Sequence, residues 1–125
     1  MGHNFLANSI AVHLLDDMVP SGTLMLACAP TQLRANHLHT EVVAAIEGAE
    51  RQRITQNEIT INGKLVKFFG IDSLKTRGYN PDYLFLDSSD EYTEEQHAVI
   101  GPLRIHAIIL ESHGTRRSKE DQDIE

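Results

Sequence analysis

Apolar and polar positions alternate along this chain with periods that change every ten to fifteen residues. From Asn4 to Met18 the residues Phe5, Leu6, Ile10, Leu14 and Leu15 return at spacings near three and four, with Ala7, Ala11 and Val12 between them. That period predicts an amphipathic helix, and Pro20-Ser21-Gly22 stops it, because proline disfavours helical geometry in the residue before it. Thr23 to Ala29 is a nearly unbroken apolar run, as expected of a strand buried on both faces of a parallel sheet. Pro30-Thr31-Gln32 turns the chain, with Thr31 placed to cap a second helix, and Ala35, Leu38, Val42, Val43, Ala45 and Ile46 carry that helix from Leu33 to a stop at Gly48.

Residues 58–69 read as a hairpin. Ile59 and Ile61 alternate with polar neighbours, Asn62-Gly63 is a two-residue turn signal, and Leu65, Val66, Phe68 and Phe69 follow. Residues 70–80 read as loop. Tyr83 to Asp87 is a second buried-strand run, ending on a carboxylate. Thr93 to Leu103 reads as a short helix or turn, and the Thr93–Gln96 spacing is that of a capping box. Ile105 to Leu110 completes the set as a last strand. Helix, strand, helix, hairpin, strand, helix, strand is an α/β layout: a mainly parallel sheet with flanking helices and a β-hairpin.

Composition narrows this picture. A length of 125 residues suits one domain, assigned to residues 1–112, and the polar stretch 113–125 reads as a disordered tail. No apolar run approaches the roughly 20 residues of a spanning helix, and the N-terminus lacks a signal-peptide pattern. The lone cysteine, Cys28, excludes an internal disulfide and fits a reducing, cytoplasmic compartment. With 11 Lys+Arg against 18 Asp+Glu the net charge is −7, which argues against a broad nucleic-acid grip.

Candidate chemistry is sparse. A strand of bulky apolar residues ending in Asp87 has the form of a Walker B element, in which the strand carries a carboxylate to the sheet edge where a phosphate-bound Mg²⁺ would sit. The same pattern also describes a polar strand terminus that satisfies nearby backbone N–H groups. His37 and His39 are two apart on a helix and so face different ways, and the other histidines show no ligand spacing. Cys28 lies inside a buried strand as a core residue. Ser88, Ser89 and Ser112 lack a nucleophile elbow. Lys64, Lys67, Lys75 and Arg77 fall close together around the hairpin as the candidate nucleic-acid contact, against the reading that they form a solvated surface.

Ala29-Pro30-Thr31-Gln32, the turn at Asn62-Gly63, Arg77-Gly78, Leu84-Phe85-Leu86-Asp87 and the segment from Ile108 to Gly114 occur in that order. In that order and spacing the chain resembles the ATPase domain of tailed-phage terminase large subunits, the motors that pump DNA into capsids. The resemblance, over about residues 2–114, implies a P-loop NTPase-like fold in truncated form. It also implies a P-loop lysine and hydroxyl where this chain has His3 and Asn4 after Gly2. A glutamate is implied directly after the Walker B aspartate, where this chain has Ser88; the next acids are Asp90 and Glu91, and a loop shift would bring Glu91 back. Phosphoryl transfer is mostly positioning and charge neutralisation, so these departures point to a non-catalytic, terminase-like phage or prophage protein with no cofactor, acting in packaging or assembly. The alternatives are a Mg-ATP-binding packaging component, with Gly2, His3 and Asn4 as a degenerate phosphate site and Asp87 as the metal ligand, and a small nucleic-acid-binding accessory. The resemblance further implies that Ile105–Leu110 becomes a sheet edge, open to a partner protein or to a second copy as a homodimer.

Overall fold

The structure is a computed structural model that describes residues 2–71 and 79–113, with the first residues of the opening helix described by backbone alone. Its elements are α1 (Gly2–Leu15), β1 (Leu24–Ala29), α2 (Gln32–Ala45), β2 (Gln52–Ile54), β3 (Glu58–Ile61), β4 (Lys64–Gly70), β5 (Tyr83–Leu86), α3 (Glu94–Ile100) and β6 (Ile108–Glu111). The six strands form one sheet in the order β2-β3-β4-β1-β5-β6. β4, β1, β5 and β6 run parallel, and β3 and β2 extend the β4 side antiparallel. The mainly parallel α/β sheet expected from the sequence is what the chain forms.

β1 is central and buried on both faces, which is why its sequence shows no alternation. β4 packs one face, through Val66 and Phe68, against α1 and α2, and it alternates strictly between buried and half-buried positions. The hairpin turn has both central residues in the left-handed region, Asn62 at φ 52° and Gly63 at φ 82°, the backbone that matches the twist of the flanking strands. Gly63 has a second constraint: a Cβ there would collide with Ser21 Oγ. Gly70, at the end of β4, is held for a different reason, since a Cβ there would run into the backbone of Gln32 at the start of α2.

Two apolar clusters sandwich the sheet. On one face Leu6, Ile10 and Leu14 of α1 and Leu38 and Val42 of α2 meet Met25, Ala27, Val66, Phe68 and Phe85. On the other, Ile100 of α3, Leu103 and Tyr92 cover Leu26, Cys28, Leu84 and Leu86. His13 of α1 rests edge-on against Tyr83 and Phe85, with ring centroids 4.7 and 5.6 Å apart, so α1 lies over β5.

Three boundaries differ from the sequence reading. β2 was not anticipated from the sequence; its three exposed residues carry no burial pattern, and the strand exists because Gln52 to Ile54 pair with β3. The first helix ends at Leu15 rather than Met18, because Asp16 Oδ1 accepts from Met18 N at 2.8 Å and closes a turn there. The last strand begins at Ile108 rather than Ile105: Gly101–Arg104 continue α3 as a 3₁₀ turn with Pro102 at its start, and the chain extends only after Ala107 N–H has turned back to Arg104 O. The two predicted caps are present, with Thr31 Oγ1 accepting from Arg34 N and Thr93 forming a full capping box with Gln96.

Candidate functional site

Four parallel strands bring four carboxyl ends to one edge of the sheet, the usual location of ligand sites in open α/β folds. At that edge β5 delivers Asp87, which is only 3% exposed although it is an acid. Its backbone N–H continues the ladder by donating to Cys28 O at 2.8 Å. The chain then reverses sharply: Ser88 sits at φ 55°, ψ 46°, an uncommon conformation for a residue with a side chain, and Ser89–Glu91 form a 3₁₀ turn.

The residue directly after β6 is the next member. Ser112 Oγ donates to Asp87 Oδ1 at 3.1 Å and accepts from Ser88 N at 3.1 Å. Ser88 Oγ is 3.3 Å from the same Asp87 oxygen. Arg34, in the first turn of α2, donates from Nη2 to Ser88 Oγ at 2.6 Å and pairs through Nη1 with Glu91 Oε1 at 3.3 Å. The outer oxygen of that carboxylate, Glu91 Oε2, is buried with no hydrogen-bond partner. Hydrogen bonds thus run Arg34 to Ser88 to Asp87, with Ser112 closing the loop from the neighbouring strand. One hydrogen bond links Asp87 to the residue after β6, and two in series link it to α2.

Below this cluster the packing is dry. Burial pushes the Cys28 thiol up to about 12, far from nucleophilic use. Burial likewise raises the Tyr92 phenol, so it stays protonated, donating to Cys28 O at 3.1 Å.

The residues singled out in the sequence are not assembled together. Asp87 lies in the cluster, and the reversal at Ser88 folds Glu91 back to Arg34, one guanidinium away from Ser88. The side chains of His3 and Asn4 lie outside what the structure describes, Gly2 is described by backbone alone, and Lys75 and Arg77 lie outside the described residues. Only the course of α1 bears on the first three: His13 sits at Tyr83 and Asp16 O meets Lys64, both at the amino ends of strands, so the helix begins toward the carboxyl edge. Lys64 is at the opposite edge, 1% exposed, and donates from Nζ to Asp16 O at 2.8 Å, just beyond α1. That cation caps a helix C-terminus and offers no surface to a polyanion. Lys67, three residues on and therefore on the other face of β4, pairs with Glu58 at 3.0 Å and lies 5.3 Å from the Tyr79 ring. The expected shared basic surface is not formed by these two lysines.

Arg34 was missed as a site residue. The signal was available: a third helical residue directly after a central strand must lie at the carboxyl edge. Among the described residues no group of three or more His, Cys, Asp and Glu is arranged to hold a metal, and no helix is long and apolar enough to cross a membrane.

For Mg-nucleotide, the group that the alternative reading of the sequence requires, the residues fit in part. Asp87 is a carboxylate in the right place, but one of its oxygens already receives a hydroxyl. Arg34, the cation nearest it in the network, is committed to Ser88 and Glu91. No described lysine stands at this edge to take the β- and γ-phosphates.

No family model matches the chain, and no curated protein does. Among solved structures it is similar to the HK97 bacteriophage large terminase, with a TM-score of 0.72 and 16% identity. That match covers 86% of this chain and 26% of that one, so the chain spans about a quarter of the larger protein's length. At this identity the likeness is one of backbone architecture, and it agrees with the order of motifs in the sequence. The chain has a terminase-like α/β fold.

Proposed function

We propose that this chain is a phage or prophage protein related to DNA packaging or assembly, which uses a terminase-like fold to make protein–protein contacts and does not turn over nucleotide. The observation that carries this reading is the state of Asp87. The carboxylate at the Walker B position is buried and hydrogen-bonded by Ser112, Ser88 follows it in place of a glutamate, and the adjacent guanidinium is bound within the protein. Such a site links α2, β5 and the residue after β6 by hydrogen bonds, and among the described residues it forms no cradle of the kind phosphoryl transfer requires. A contact surface consistent with this reading lies at β6, which ends the sheet among the described residues and bears the exposed Ile108.

The test is calorimetric titration of the chain with Mg-ATP, with an Asp87→Ala variant alongside. No heat at millimolar nucleotide is the expected result. Binding that disappears in the variant would overturn it and favour the second reading, a nucleotide-binding packaging component. One observation supports that second reading: Glu91 is folded back to Arg34, so a carboxylate does return to the neighbourhood of Asp87. A nucleic-acid accessory is disfavoured by the burial of Lys64 and the pairing of Lys67.

A further inference from the structure

We propose that Asn62 is a gated deamidation site: the folded hairpin turn keeps its carboxamide from cyclising, and opening of the turn admits a reaction that alters the hairpin covalently. Asn62 is the one asparagine of the chain that glycine follows. The reaction needs that pairing, because the main-chain nitrogen of residue 63 must reach Asn62 Cγ, and glycine brings no side chain to obstruct it. The inference concerns the chain's own covalent chemistry and stands apart from the reading of Asp87.

In the first step Gly63 N attacks Asn62 Cγ. A C–N bond forms, the Gly63 amide gives up its proton, and the bond from Cγ to the side-chain nitrogen breaks with release of ammonia. A five-membered succinimide is left. Water then opens that ring at one of its two carbonyls. Attack at Cγ gives aspartate at position 62, and attack at the main-chain carbonyl gives isoaspartate, in which the chain runs on through Cβ and Cγ. Solvent water is the sole co-reactant, and nothing is oxidised or reduced.

The turn opposes the first step by its geometry. Asn62 stands at φ 52° and Gly63 at φ 82°. In the left-handed region ψ is about +47°, which turns the next nitrogen nearly opposite Cβ across the Cα–C bond. Ring closure needs the two on the same side, so the peptide between residues 62 and 63 must first rotate by almost half a turn. Contacts from outside the hairpin resist that rotation. Gly63 O accepts from Gly22 N at 2.9 Å, and Gly63 lies so close to Ser21 that a Cβ would collide with Ser21 Oγ. The strands resist it from inside, since Ile61 and Lys64 pair across the turn and each is only 1% exposed. Cyclisation therefore waits on a local opening that breaks the Gly22–Gly63 bond. Isoaspartate then adds one main-chain carbon to a two-residue loop whose length sets the register of β3 on β4, so the opening leaves a permanent mark.

Peptide mapping by mass spectrometry of the full chain, held in mildly alkaline buffer, measures conversion at Asn62 and its isoaspartate share. Three samples are compared: the folded chain, the same chain in urea beyond its unfolding transition, and Gly22→Ala, in which alanine at φ 93° strains the loop that holds Gly63 O. Asn36 and Asn57, followed by histidine and glutamate, serve as internal standards. In urea, conversion at Asn62 should outrun both standards. In the folded chain it should be at least about tenfold slower, equivalent to an opening free energy of about 1.4 kcal/mol or more. Folded Gly22→Ala should fall between the two. If that variant unfolds, which circular dichroism reads, the comparison of folded chain with urea decides alone. Equal rates in the folded and unfolded chain overturn the gate, as does a folded Gly22→Ala chain that converts no faster than wild type. Conversion at Asn62 no faster than at the standards in urea overturns the site itself.

Discussion

Each end of the sheet buries one charged side chain almost completely, and the two are handled in different ways. At the amino end Lys64 reaches a single backbone carbonyl beyond α1, while Asp82, just before β5, accepts from Leu24 N at 2.9 Å and ties β1 to β5. These are one-to-one bonds that close off backbone groups at element ends. At the carboxyl end Asp87 belongs to a network of side chains drawn from α2, the loop after β5, and the residue after β6. A fold needs the first arrangement to keep its helices and strands in place. The second exceeds that need, since an apolar residue at 87 and a glycine turn would end β5 as well. Comparing the two ends therefore separates polar burial that serves stability from polar burial that serves coupling between elements.

The comparison is broken or sharpened by four measurements, in falling order of size. Lys64→Ala should lower stability by about 3 kcal/mol in urea unfolding, through the lost packing of a long buried stem and an orphaned carbonyl. A cost below about 1 kcal/mol would show that the amino end is less committed than its burial suggests. Ser112→Ala removes a donor to Asp87 and an acceptor from Ser88 N–H, and should cost about 1–2 kcal/mol. If it costs as much as Lys64→Ala, the carboxyl cluster is as structural as the amino end.

The Cys28 thiol supplies the third. Its value is raised by burial from 9.0 to about 12, so between those limits the unfolded chain has released a proton that the folded chain still holds. Stability is then complete below pH 9 and falls as the pH rises toward 12, by about 1 kcal/mol per unit once above 9. A Cys28→Ala variant should flatten that part of the pH–stability curve, and alkylation of the folded wild type at pH 8 should be negligible. The smallest effect belongs to Arg34→Ala, about 0.5 kcal/mol, because the Arg34–Glu91 pair is half-exposed and well screened. Its value as a test lies elsewhere: amide shifts at Ser88 and Ser112 in the variant would show that Arg34 positions the loop, and unchanged shifts would remove α2 from the network.

Much of the architecture was legible in the chain itself. Unbroken apolar runs marked Leu24–Ala29 and Tyr83–Leu86 as strands covered on both faces, strict alternation with Asn62-Gly63 marked the hairpin, and the capping residues Thr31 and Thr93 announced α2 and α3. These signals are local: periodicity and capping depend on neighbours within one or two turns, and no tertiary information is required to read them. The position of Asp87 was legible for the same reason, because a strand's last residue must stand at the sheet edge.

What the tertiary structure decided was everything that depends on partners distant in sequence. β2 had no pattern of its own and became a strand only by pairing with β3. Lys64 read as surface charge because lysine is seldom buried, and only the end of α1, 48 residues earlier, supplied the carbonyl that makes its burial tolerable. Arg34, Ser88 and Ser112 are unremarkable residues in three separate segments. They form a cluster because parallel strands and the helix after β1 deliver them to one edge. The sequence determined which elements exist; the sheet order determined which of their polar ends meet, and so where a function has a place to reside.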